Sequence, residues 1–182
     1  MAGIFFSGQA TSFGALEPGL CFAFERAGKA HIGIKVRDEA SGGDSCVVVW
    51  AEGGDGPALL AEAPPGDCPV LSLPDAMFQP AVDPAHIQTE GTGQREAGQL
   101  LLAEDRWLLV VGDGTGTALI DLKSGARIRG ARDAIRIRFR AWRIVQKGLG
   151  DEYDTICRHE GGAGARVAGA GALPRGGVEP AG

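Results

Sequence analysis

Hydrophobic and polar residues alternate over much of the chain in the pattern typical of β-strands. An apolar run at 20–25 is followed by a glycine-containing loop at 26–29, and residues 30–37 then alternate strictly. Successive side chains of a strand point to opposite faces, so one face would carry the apolar residues and the other the polar ones. The two faces are Ile32, Ile34 and Val36 against His31, Lys35 and Arg37. The pattern predicts an antiparallel hairpin with one buried face.

Other strand-length runs extend this interpretation to most of the chain. Residues 46–51 are apolar and β-branched without alternation, which is typical of a central strand covered on both faces. Between 98 and 129, short apolar runs recur at roughly ten-residue spacing and are separated by Asp, Gly and Ser. A helix over 94–104 is the alternative for the first of these runs, although Gly98 disfavours it by about 1 kcal/mol. We therefore expect an all-β protein, either an antiparallel sandwich or a partly open barrel.

Two segments depart from the strand pattern. Residues 57–84 hold seven of the ten prolines, so we expect an irregular, Pro-rich loop excursion. Within it, 70–73 could still pair at a sheet edge, and Asp83-Pro84 suits the start of one helical turn. Residues 161–182 contain eight Gly, six Ala and two Pro, and these offer too little side chain to offset the entropy of ordering. The expected organisation is one β-rich domain over 1–160 and a flexible, disordered tail over 161–182.

Composition places the chain among ordinary globular proteins. Its 182 residues are 44% hydrophobic, enough to bury a core without a disulfide or a metal. No apolar stretch is long enough for a membrane helix, and the first residues lack the basic start of a secretion signal, so we expect a cytoplasmic protein without membrane contact. The four cysteines, Cys21, Cys46, Cys68 and Cys157, lack metal-site spacing and are expected to be reduced, buried thiols. Neither a metal nor another cofactor is expected.

Charge is distributed unevenly along the chain. Residues 123–147 contain nine cations and one anion, a net charge of +8, so the remainder must carry −13 to give the overall −5. Strict alternation over 134–141 predicts a strand with Arg136, Arg138 and Arg140 on one face, about 6.5 to 7 Å apart. Arg143 and Lys147 would flank this row, with a change to helix near 142–147 left open.

The basic strand 134–147 suggests a contact surface for an acidic partner. The first functional hypothesis is a non-catalytic binding or structural module, an accessory subunit of a larger assembly that contacts an acidic protein or a second copy of itself. Internal pairing of the arginines across the sheet would explain the same pattern without a partner. Single-stranded nucleic acid or another polyanion is a further alternative, but the pI near 5.2 and the few aromatic residues in this segment disfavour it.

Two other motifs could carry chemistry. The glycine-rich run 112–116 follows an apolar run, but it does not match the GxGxxG pattern and leads into β-branched residues, so a hairpin turn is favoured over a nucleotide loop. Residues 151–160 gather carboxylates with Cys157 and His159, which leaves open an enzyme with a nucleophilic or metal site there. The favoured interpretation of 151–160 is a solvated acidic turn that leads into the tail.

Residues 107–128 combine an apolar run, the glycine turn, Ala118-Leu119-Ile120-Asp121-Leu122 and Lys123-Ser124-Gly125. This stretch resembles one repeat of a quinoprotein-type β-propeller blade. A propeller needs several blades, and the sequence has no second copy at a period of roughly 40 to 50 residues. We therefore transfer no function from that family.

Overall fold

The computed structural model describes residues 8–38, 42–54, 58–89, 95–128, 135–148, 152–161 and 166–167. This part of the chain is nearly all β, as the sequence predicts, with 3₁₀ turns at Phe13–Ala15 and Pro84–His86. The strands are β1 (Gln9–Ser12), β2 (Cys21–Arg26), β3 (Lys29–Arg37), β4 (Asp44–Ala51), β5 (Leu59–Glu62), β6 (Pro69–Leu73), β7 (Met77–Pro80), β8 (Ile87–Thr89), β9 (Leu100–Ala103), β10 (Arg106–Gly112), β11 (Thr117–Asp121), β12 (Arg127–Ile128), β13 (Ile135–Phe139), β14 (Ala141–Lys147), β15 (Tyr153–Glu160) and β16 (Arg166–Val167).

The strands form a large and a small sheet. The large sheet has the order β1-β6-β2-β3-β4-β5-β10-β9-β13-β8, with β11 and β12 branching from β10, and the small sheet has the order β16-β15-β14-β7. Named strands pair antiparallel, apart from a parallel contact of β10 with β5 at Gly112 and Leu59. Two facing antiparallel sheets agree with the predicted sandwich or partly open barrel.

Local sequence signals correspond to the observed strands in the first half of the large sheet. The predicted hairpin is β2 and β3, and its turn residues Ala27 and Gly28 both have positive φ, at 53° and 73°. Such turns match the natural twist of a hairpin. Strand β4 lies between β3 and β5, and its adjacent residues Cys46 and Val47 are both fully buried. Because neighbouring residues point to opposite faces, this burial confirms a central strand covered on both sides.

The predicted meander of 98–129 is also present, as β9 to β12. The helical alternative for 94–104 is wrong where the chain is described, because Leu100–Ala103 is a strand paired with β10. Residues 112–116 form the β10–β11 turn, in which the Asp113 carboxylate accepts from the amides of Thr115 at 3.1 Å and Gly116 at 2.8 Å. This confirms the hairpin interpretation of the glycine-rich run.

The large sheet buries side chains on both faces. The principal core lies between the sheets and includes Ile34 and Leu109 of the large sheet with Trp142 and Ile144 of the small one. A second cluster covers the opposite face near β2 to β4, and a third covers the opposite face near β9 to β11. The second cluster consists of Phe13, Leu16, Phe22, Phe24, Cys46 and Val70. The third consists of Leu101, Ala103, Leu108, Val110 and Leu119. The expectation of one solvated face on the 30–37 strand is therefore wrong.

The Pro-rich segment contains three short strands, β5, β6 and β7. The prolines from 64 to 84 lie at strand ends or in the connections, as with Pro69 at the start of β6 and Pro80 at the end of β7. Strand β6 pairs with both β1 and β2, so the predicted edge position of 70–73 is wrong. The predicted helical turn is present at Pro84–His86, where the Asp83 carboxylate accepts from the Ala85 amide at 2.9 Å.

Of the predicted tail 161–182, the structure describes only Gly161 and Arg166–Val167. Arg166–Val167 pairs with β15, and the rest of the predicted tail lies outside the described residues. In the described ranges there is no helix long and apolar enough to cross a membrane.

Candidate binding surface on the small sheet

The basic segment runs from one sheet into the other. Strand β13 pairs with β8 and β9 in the large sheet, and β14 pairs with β7 and β15 in the small one. Between them, the Arg140 amide donates to the His86 carbonyl at 2.8 Å, and the Ala81 amide donates to the Ala141 carbonyl at 2.9 Å. Of the predicted strand over 134–147, the described residues 135–147 are therefore extended but interrupted at Arg140. The option of a helix near 142–147 is wrong, since those residues belong to β14.

This interruption changes which side chains share a face. Ala141 and Trp142 are consecutive, yet both are buried, at 6% and 2% exposure. The alternation of inward-facing and outward-facing side chains therefore shifts by one residue where the chain bends between the sheets. Arg138 and Arg140 follow the alternation of β13, whereas Arg143 and Lys147 follow that of β14.

The first group of arginines lies on the large-sheet side of the bend. Arg138 is half-buried and is paired in register with Leu101 of β9. Arg140 is also half-buried, and with the Gln88 amide oxygen turned toward it, that oxygen accepts from Nε at 3.3 Å and from Nη2 at 3.0 Å. Arg136 belongs to β13, but its side chain lies outside the described part of the protein.

Arg143 occupies a different position, on the outer face of the small sheet. Its side chain is exposed and extends across the neighbouring strands. The guanidinium Nε donates to Gln79 Oε1 at 2.7 Å, and Nη1 lies 3.5 Å from Thr155 Oγ1. These contacts arise because Gln79 of β7 is the register partner of Arg143. The guanidinium is thus oriented by side chains from the strands on either side.

A groove of about 570 Å³ runs beside this guanidinium. Its lining residues come from three strands and the turn before β15: Met77, Phe78, Gln79, Arg143, Val145, Glu152 and Tyr153. Two of its apolar side chains remain largely exposed, Met77 at 47% and Tyr153 at 52%. Lys147 is exposed and is the register partner of Tyr153. We call this region the outer β14 surface and define it by Met77, Gln79, Arg143, Lys147 and Tyr153.

Internal ion pairs account for part of the basic segment. Arg127 Nη2 lies 2.7 Å from Asp113 Oδ2. Hydrogen bonds from Thr115 and Gly116, together with the Arg127 charge, lower the pKa of Asp113. The alternative hypothesis, that the cations of this segment pair with carboxylates of the same protein, therefore holds for Arg127. Within the described residues, the side-chain contacts of Arg143 are with the neutral residues Gln79 and Thr155.

The segment with Cys157 and His159 is not the solvated turn that the sequence suggests. It forms the eight-residue strand β15, and both side chains face inward with exposures of 0% and 5%. Burial, with a contribution from Cys21, raises the pKa of Cys157 to about 12. Because the thiolate is the reactive form, this protonated thiol is unsuited to nucleophilic attack.

Lys35 is a residue whose role sequence reasoning missed. Its side chain is 1% exposed, and Nζ donates to the carbonyls of Phe13 at 3.2 Å, Gly14 at 3.3 Å and Leu16 at 2.9 Å. Asp44 Oδ2 lies 3.0 Å from the same nitrogen. A lysine in an alternating strand gave no signal of this role, because the carbonyls come from a distant 3₁₀ turn. The donors of the Lys35 ammonium group are all used inside the protein, so this side chain stabilises the fold.

Comparison with known proteins gives no family assignment. No family model, curated protein or solved structure matches this chain. In the described ranges, no three His, Cys, Asp or Glu side chains are grouped so that they could hold a metal ion.

Proposed function

We propose that this protein is a binding module that contacts an acidic protein partner through the outer β14 surface, and that it acts as an accessory subunit without an active site of its own. The observation that carries the proposal is the exposed Arg143 guanidinium, oriented by Gln79 at 2.7 Å beside a groove with apolar walls. A cation held in one geometry loses less conformational freedom when it binds a carboxylate.

The donors of Arg143 favour a carboxylate ligand. A guanidinium group carries five N–H donors. The contacts of Arg143 use Nε and Nη1, and Nη2 makes no hydrogen bond within the described part of the protein. A carboxylate from a partner can therefore accept a hydrogen bond from Nη2 of Arg143. Such a charge-assisted hydrogen bond is stronger than a neutral one.

The apolar walls favour a protein partner over a nucleic acid. Met77 and Tyr153 expose about half of their surface, and methionine and tyrosine are enriched in protein interfaces. Nucleic-acid binding requires many cations along a phosphate backbone, whereas Glu152 lies in the wall of this groove. A short acidic segment with neighbouring apolar side chains matches the surface better.

The five predicted contact residues enter this proposal as two groups. Arg143 and Lys147 form the proposed contact on the outer β14 surface. Arg136, Arg138 and Arg140 belong to β13 and the bend, and they are the candidates for the alternative, a polyanion or single-stranded nucleic acid. An enzyme at Cys157 and His159 is disfavoured, because both side chains are buried and the thiol is protonated. We place the module in the cytoplasm, where its four free thiols would stay reduced.

The test measures binding of a fluorescent peptide of alternating Glu and Leu by anisotropy at low ionic strength. Replacing Arg143 and Lys147 together by Gln is expected to weaken binding at least about tenfold, the scale of truncated charge pairs at interfaces. The matched control replaces Arg26 and Arg106, exposed cations outside this surface, and removes the same charge with less than about a twofold change.

Two outcomes count against the proposal. Equal losses in the test variant and its control would mean that net charge alone drives binding. Tighter binding of a single-stranded DNA oligonucleotide, abolished by Gln at Arg136, Arg138 and Arg140, would instead establish the polyanion alternative.

A further inference from the structure

Trp142 and His159 connect the small sheet to the large one through Gly98. The two residues are register partners on β14 and β15, and their rings stack with centroids 5.3 Å apart and planes inclined by 24°. The Trp142 indole Nε1 donates to the Gly98 carbonyl at 2.6 Å. The Gly98 amide in turn donates to the carbonyl of Val110, in β10 of the large sheet, at 2.8 Å. One glycine therefore hydrogen bonds to both sheets.

The His159 ring lies directly against this glycine. A Cβ atom built on Gly98 would be 2.7 Å from both Cε1 and Nε2 of the ring, closer than real contacts allow. Gly98 also has a φ of +92°, a conformation that side chains other than glycine's rarely permit. The indole, the imidazole and the Gly98 peptide thus form one closed contact, which we call the Gly98 clamp.

Within the described residues, no group of the Gly98 clamp would neutralise a positive charge on the His159 imidazole. His159 is 5% exposed and takes part in no hydrogen bond or ion pair within the described ranges. The contacts of its ring are with the Trp142 indole and with Gly98, which are both uncharged, and burial raises the pKa of Cys157, two residues away on β15, to about 12. The ionisable residues near it on the packed elements are Arg143 of β14, Arg158 and Glu160 of β15, and Arg95 and Glu96 before Gly98. Arg143, Arg158 and Glu160 are exposed rather than directed inward with His159, and Arg158 pairs with Glu160 at 3.6 Å.

We propose that the Gly98 clamp is an acid-sensitive contact between the sheets, which opens when the His159 imidazole takes up a proton. A cation at this largely buried position has little access to water and no hydrogen-bond partner among the described residues, and we expect this cost to exceed the attraction of an imidazolium to an indole face. The protonated ring must therefore move toward water, away from Gly98. Because Trp142 stacks on that ring, its bond to the Gly98 carbonyl weakens at the same time.

The direction of the pH effect follows from the burial of the ring. Burial lowers the pKa of His159 below 6.5 in the folded protein. Above 6.5 the ring is neutral in the folded and unfolded states, and the clamp is fully formed. As the pH falls below 6.5, the unfolded state binds the proton first, and the clamp is lost as the pH passes through the folded pKa.

The experiment follows the three tryptophan indole N–H signals of the full chain by NMR between pH 8 and pH 5, with the Trp142 signal assigned from a Trp142→Phe variant. The protection of the Trp142 indole against hydrogen exchange is expected to fall as the pH is lowered, while the protection of Trp50 and Trp107 is retained. His159→Phe keeps a stacked ring that cannot titrate, so it should abolish this pH response. His86→Gln, at a half-buried histidine outside the clamp, should leave it intact.

The proposal is overturned if Trp142 responds only together with the other two indoles, or if His159→Phe retains the response. If His159→Phe does not fold, the proposal is tested on the wild-type protein by comparing the pH midpoints of two NMR signals. A shared midpoint for the His159 Cε1 proton and the Trp142 indole supports the clamp, and separate midpoints refute it. The result is independent of the proposed partner.

Discussion

Lys35 and Asp44 form an ion pair, with Lys35 Nζ 3.0 Å from Asp44 Oδ2, on a face of β3 that the sequence assigns to solvent. The ammonium group also holds three carbonyls from residues 13–16, so it attaches the first 3₁₀ turn to the large sheet. Phe13 covers the ammonium with its ring centroid at 4.9 Å. The second core cluster depends on this attachment, because Phe13 and Leu16 both belong to it.

Replacing Lys35 by Met should lower the free energy of unfolding by about 3 kcal/mol, since the variant leaves buried carbonyls and a carboxylate without their donor. Urea denaturation at pH 7 measures the change. Lys29→Met is the matched control, an exposed lysine of the same strand, and it should change stability by less than about 0.5 kcal/mol. Equal effects of the two substitutions would show that the Lys35 contacts do not stabilise the fold.

Asp44 should make the protein more acid-sensitive. Burial alone would raise the pKa of Asp44, but hydrogen bonds and charge from Lys35, with a smaller contribution from Arg37, hold it below 3.8. Its contribution is therefore complete above the unfolded value of 3.8 and is lost as the pH falls through the lower folded value. Between pH 5 and pH 2.5, the unfolding free energy of Asp44→Asn should fall less than that of the wild type. Asp105→Asn, an exposed control, should follow the wild-type curve, and a wild-type slope in Asp44→Asn would contradict the assignment.

Gly98→Ala should destabilise the protein more than Gly28→Ala. Both glycines have positive φ, at 92° and 73°, so both substitutions carry a backbone cost of about 1 kcal/mol. A Cβ at Gly28 meets no atom within 4 Å, whereas one at Gly98 would be 2.7 Å from the His159 ring. The overlap should add about 1–3 kcal/mol at Gly98, measured by thermal or urea unfolding. In a His159→Ala background this excess should largely disappear, and its persistence would place the clash elsewhere.

Thiol labelling should distinguish Cys68 from the other three cysteines. Burial raises the pKa of Cys21 to about 12, of Cys46 to about 11 and of Cys157 to about 12, whereas Cys68 is half-buried. One thiol per chain is therefore expected to react quickly with a disulfide reagent under native conditions at pH 8, and the other three only on unfolding. Cys68→Ser should remove the fast phase. A fast phase that survives this substitution would require an accessible thiol in the core.

The elements that sequence patterns predict correctly depend on contacts between neighbours in the chain. The β2–β3 hairpin needs only a turn at Ala27 and Gly28 and matching strands on either side, and the β10–β11 hairpin needs only the Asp113 turn. In both cases, local backbone preferences and a nearby partner strand agree. The Asp83-Pro84 start of a 3₁₀ turn was predictable for the same reason.

The features missed by sequence reasoning depend on partners far away along the chain. The burial of Lys35 requires carbonyls about twenty residues earlier, and that of Cys157 and His159 requires core residues from both sheets. The break at Arg140 is set by residues 81 and 86 on the paired segment, which are invisible in the alternation of the arginines themselves. The sequence predicts Arg143 and Lys147 as contacts that flank the row of Arg138 and Arg140, whereas the structure places Arg138 in the large sheet and Arg143 and Lys147 in the small one.

By itself, the amino-acid sequence determined that this chain forms strands, where most of them lie and that its cations are concentrated in one segment, because hydrophobic periodicity and turn chemistry act over a few residues. Only the tertiary structure decided which faces are covered, where the basic segment crosses between sheets and that Gly98 contacts both Trp142 and His159. These properties arise from packing between distant strands, and a single strand's alternation contains no information about what will lie across it.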